Sequence, residues 1–119
     1  MTDPFDEFPQ TLDLLAAVVP SQTEYVTKQG RRLFVTVVEY WNTRTTIRFA
    51  MPVNDIEPQG VGSVIDDDGV DYGVSGGGGG SAGAVAAWDG HISTEQPVPQ
   101  TVNRLHISSG TGQDFTVEI

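Results

Sequence analysis

A chain of 119 residues is sized for one domain, and 38% hydrophobic content allows a core without covalent staples. The formal charge is −10: eight acids face five bases in residues 1–60, and eight face one base, Arg104, in residues 61–119. Such a balance repels phosphate backbones and anionic lipid surfaces, which argues against nucleic-acid and membrane partners. The absence of cysteine removes disulfides and thiolate chemistry.

Residues 1–10, MTDPFDEFPQ, read as a solvated N-terminal arm. Pro4 and Pro9 block a helix, and Phe5 and Phe8 are suited to anchor the arm on a sheet face or on a partner. The arm has neither a basic n-region nor an apolar h-region, so it is not a signal peptide. The expected compartment is the cytoplasm, and extracellular only if a leader is missing. Residues 11–119 then form the single domain. Thr11 to Val19 fits one short helix, capped by Thr11 and ended by Pro20, or an extended lead into the first strand. Gln22 to Thr27 is a strand, and Gly30 supplies the positive φ of the turn after it.

The stretch Leu33 to Met51 is the organising hairpin: two β-prone runs flank the polar turn Asn42-Thr43-Arg44. In its second run Thr45, Ile47, Phe49 and Met51 share one parity. The first run is apolar on both parities, as in a strand covered on both faces. Pro52 closes the hairpin, and Asn54 to Gly60 is the candidate crossover between two sheets. Val61 to Ile65 is a short strand, Asp66 to Gly69 a turn, and Val70, Tyr72 and Val74 the inward positions of a return strand. Residues 75–83 read as a flexible glycine-rich loop, because glycines bring no side-chain contacts to offset ordering. Asp89-Gly90 signals a further turn, with a strand from His91 to Glu95. Pro97 and Pro99 stiffen a connection; Leu105 and Ile107 alternate with Arg104 and His106 in the next strand. Gly110-Thr111-Gly112 turns the chain into a last strand carrying Phe115, Val117 and Ile119. About seven to nine short strands with frequent turns predict an all-β, antiparallel sandwich.

No motif specifies a reaction. Gly79-Gly80-Ser81-Ala82-Gly83 matches G-x-S-x-G, but a glycine run produces that match without the strand-to-helix elbow it requires. Gly78, Gly80 and Gly83 match G-x-G-x-x-G without a following helix to hold a pyrophosphate. No catalytic residue, cofactor or metal is therefore expected. The densest acidic run ends a strand, and a solvated turn is the expectation there. Asp66, Asp68 and Asp71 are its only candidates for a cation. His91 and His106 are expected at solvent-facing strand positions. Trp41 and Trp88 would fill the space between sheets, or join Tyr40 and Tyr72 in an aromatic patch for a partner.

The order of features from Pro20 to Ile119 resembles small actinobacterial immunoglobulin-like β-sandwich proteins, most of them without an assigned function. The resemblance is carried by Val19-Pro20, Glu39-Tyr40-Trp41, the run Asp66 to Tyr72 followed by glycines, Val98-Pro99 and Leu105-His106-Ile107. Where that group has an aromatic before the proline pair, this chain has Thr94-Glu95-Gln96. The resemblance implies an immunoglobulin-like sandwich and carries over no catalytic residue. The functional expectation is a non-catalytic interaction or structural module. It would meet a protein partner, or its own copy, through sheet edges and loop tips. The alternatives are a carbohydrate- or cation-binding module and a small hydrolase pairing a histidine with a carboxylate.

Overall fold

In a computed structural model the chain is described over residues 12–27, 30, 32–52, 62–81, 87–108 and 114–119, with backbone only at 52, 80–81 and 87–88. These residues form nine strands: β1 (Leu14–Val18), β2 (Glu24–Val26), β3 (Arg32–Trp41), β4 (Thr45–Pro52), β5 (Ser63–Asp66), β6 (Gly76–Ser81), β7 (Ala87–Ser93), β8 (Arg104–Ser108) and β9 (Phe115–Glu118). One sheet has the order β1-β3-β4-β7-β6, with β2 also on β3; the other has the order β5-β8-β9. Every pairing is antiparallel. The inner faces share one core: Leu33, Val35, Val38 and Ile47 from the larger sheet meet Val64, Leu105, Ile107 and Val117 from the smaller. The protein is thus an all-β sandwich, as its two-residue periodicity predicts.

The puzzle of the doubly apolar first run resolves at Thr36. The β3–β4 register shifts between Val35 and Val37, so one extra residue sits in β3. A bulge of this kind inverts side-chain parity beyond it. Leu33 and Val35 before it, and Val38 and Tyr40 after it, consequently all point into the core. The strand is buried on one face throughout, with Glu39 and Trp41 left half-buried on the other.

Other expectations need correction. Of the two readings of 11–19 the extended one holds over its described part, which forms no helix. Residues 14–18 instead pair with β3 from Leu14↔Trp41 to Val18↔Val38. A nine-residue helix gains little on its own, whereas the free margin of β3 offers ready backbone partners. The glycine stretch is not a loop: β6 pairs with β7 from Gly76↔Ser93 to Ser81↔Trp88. Main-chain bonding needs no side chains, and at position 77 it demands their absence, since a Cβ there would lie 2.9 Å from the His91 carbonyl oxygen. Asp89-Gly90 makes no turn. β7 passes straight through it, with Gly90 between Phe49 and Gly79. The return strand over 70–74 shrinks to one bridge, Ile65↔Asp71. Side chains divert the backbone there: Asp66 Oδ1 accepts the Val70 N–H at 3.0 Å and Asp71 Oδ1 the Gly73 N–H at 2.9 Å.

Gly30 and Gly69 do adopt positive φ, at 79° and 84°. The connection after β4 does lead from one sheet to the other, although residues 53–61 lie outside the described part. So do the arm over 1–10 with Phe5 and Phe8, Thr11, and the expected turn at Gly110-Thr111-Gly112. Among the described residues no helix is long and apolar enough to cross a membrane.

Candidate functional site

The acidic turn is the first place to look for chemistry. Asp66 ends β5 and its carboxylate faces inward. Oδ1 accepts the N–H groups of Asp68 (2.9 Å) and Val70 (3.0 Å), and Oδ2 accepts the Tyr72 hydroxyl at 2.6 Å. These bonds, the Tyr72 hydroxyl foremost, hold the Asp66 carboxyl below its ordinary value. Asp66 is therefore a residue that organises the turn. Asp68 and Asp71 are exposed, and Asp71 closes its own turn onto Gly73. Among the described residues no group of three or more acidic or histidine side chains is placed to hold a metal ion.

The aromatic candidates separate. Tyr40 and Tyr72 are core residues, 3% and 7% exposed, and belong to no surface platform. Their parity explains this: the bulge turns Tyr40 inward, and Asp66 draws Tyr72 inward. Trp41 is half-buried on the outer face, its Nε1 3.3 Å from Glu39 Oε1. The Trp88 side chain lies outside the described part. A shared patch of the four aromatics is thus not assembled.

The Tyr72–Asp66 pair makes stability pH-dependent. Burial, then the bond to the Asp66 carboxylate, pushes the Tyr72 phenol from 10.0 up to about 12. The unfolded chain therefore releases this proton first. The contribution is intact below pH 10.0 and is lost as pH climbs toward about 12. On the acid side the sign reverses: Asp66 contributes above its unfolded value and less as pH falls through its lower folded one. Urea midpoints measured across the alkaline range should fall steadily in the parent chain. They should fall less in Tyr72→Phe; an equal decline in both would assign the effect to other groups.

A second cluster was not legible in the sequence. His106 on β8 places Nε2 2.8 Å from Asp67 Oδ1 and Nδ1 3.0 Å from Thr116 Oγ1. Arg104 Nε lies 2.9 Å from Glu118 Oε1, and its Nη1 3.9 Å from Asp67 Oδ2. The alternation of β8 gives the outward direction of Arg104 and His106. Only the turn after β5 brings Asp67 over them. The order carboxylate, imidazole, hydroxyl suits proton relay. Here, however, the His106 and Asp67 side chains are 47% and 55% exposed, and Thr116 is simply the residue paired across from His106. Water screens such a group, and a cross-strand polar ladder on a wet face accounts for it. A shallow cleft of about 460 Å³ adjoins it, lined by Val26, Ile65, Phe115 and several hydroxyls.

The third feature is the margin of the larger sheet formed by β6. Among the described residues, β6 has a strand partner on one side only, β7. On the outer face Gly78 stands beside His91 and Gly80 beside Asp89. Asp89 is exposed, and no described residue bonds its carboxylate. Arg48, opposite His91 on β4, is engaged by Glu39 at 3.1 Å. Natural sheets guard such margins with lysine, proline, bulges or inward charges. β6 has none of these over Gly76–Ser81.

Set against known proteins, the chain matches no family model, and no curated protein or solved structure matches it significantly.

Proposed function

We propose that this protein is a non-catalytic interaction module that takes up an extended segment of another protein as an added strand on β6. The observation that carries this reading is the six-residue margin of Gly76–Ser81, which among the described residues has a strand partner on one side only. Main-chain bonding to an incoming strand gives affinity in such complexes, and flanking side chains give selectivity. An immunoglobulin-like kinship belongs to the same reading. It is supported by two antiparallel sheets around one core.

A displayed library of short linear peptides, selected against the intact chain, tests the reading. Selected peptides are expected to protect the amides of residues 76–81 from deuterium exchange. Selection of none, or protection confined to other surfaces, would count against the module.

A further inference from the structure

The segment that β6 accepts can be characterised from its surroundings. We infer that it is cationic, with lysine or arginine at alternate positions whose side chains cross the glycine rungs to reach Asp89. This rests on the edge reading above and adds the chemistry of the partner.

An ordinary edge strand interposes its own side chains between a newcomer and the next strand in. β6 does not. A Cβ built at Gly76 would meet nothing within 4 Å, and one at Gly78 would meet only His91 Cε1, at 3.8 Å. At Gly76 and Gly78 the outer surface is therefore bare backbone, and there β7 becomes the first row of described side chains an incoming strand meets. Strands lie about 4.8 Å apart, so a docked segment sits roughly 9.6 Å from β7. A long basic side chain can lay its stem along such a surface and keep its charged head free to pair. A short polar one falls short of Asp89.

Charge selects the same occupant. Residues 61–119, which include β6, carry eight acids and one base. That base, Arg104, lies on the smaller sheet, bound to Glu118. A second copy of the chain would set −10 against −10, which disfavours it as the occupant.

Three synthetic peptides, alternating threonine with lysine, glutamine or glutamate, decide the matter by titration into the intact protein with exchange footprinting. The lysine peptide should bind about tenfold tighter than the glutamine peptide at low salt, with the difference shrinking near 0.15 M. Asp89→Asn should remove several-fold of that preference, and Asp89→Lys should shift it toward the glutamate peptide. Equal binding of all three, with protection at 76–81, would overturn the cationic assignment and leave the edge reading standing. No protection at 76–81 with any peptide would overturn both. Self-association of the free chain that protects those same amides would give the margin to a second copy and likewise overturn the assignment.

Discussion

Replacing Leu105 with alanine is expected to lower stability by about 2–5 kcal/mol, the largest single effect foreseen for this chain. Leu105 is 0% exposed and sits at the centre of the three-stranded sheet. Its backbone is paired on both sides, to Asp66 on β5 and Val117 on β9. β8 therefore cannot slide inward to close the space left by the missing atoms without breaking two ladders. Most of the cavity should persist, which places the cost toward the upper part of that range. Urea unfolding of Leu105→Ala beside Leu105→Met checks this, since the volume-matched change should cost less than about 1.5 kcal/mol. Similar stabilities for the two variants would mean that the sheets do not close on this residue.

Thr94→Val should cost about 1–3 kcal/mol despite its near-identical shape. Thr94 Oγ1 accepts the Thr45 N–H at 3.0 Å and donates to Gln96 O at 2.7 Å, at a position only 1% exposed. Thr45 completes the arrangement, its Oγ1 accepting the Val98 N–H at 3.0 Å. Valine would leave a buried N–H and a carbonyl without their partner, where water cannot readily replace it. The bonds lie where the chain leaves β7 for β8, so they fix the passage from the larger sheet to the smaller. Thr94→Ser should keep most of the stability. Combining Thr94→Val with Thr45→Val should cost less than the two separate losses together, because both act on one network. Additive losses would show that the two hydroxyls work independently.

These residues also mark where the sequence was legible. Parity alone placed Ile47, Phe49 and Met51 in the core, and Leu105 and Ile107 opposite them, because two-residue alternation is a direct consequence of strand geometry. It misread β3, where a single inserted residue, Thr36, preserves the apolar inventory while reversing its direction. It misread residues 76–81 for a different reason. Composition reports what side chains can contribute, and the bonds that hold β6 belong to the main chain. Asp89-Gly90 shows the converse: turn-compatible residues permit a reversal, and pairing on both sides of Gly90 overrules them. Of the candidate surfaces, the acidic turn was visible as a cluster, but its inward Asp66 was not. Asp89 is legible in the sequence only as half of a turn signal, because its place beside the glycines comes from the β6–β7 pairing.

The strand order also shapes how the chain comes into being. β4 meets β3 across a three-residue turn, but its other neighbour, β7, begins only at residue 87. At synthesis rates of about 5–20 residues per second, β4 waits roughly two to eight seconds for that partner. A nascent hairpin emerging from the ribosome thus carries an unpaired backbone edge until β7 arrives.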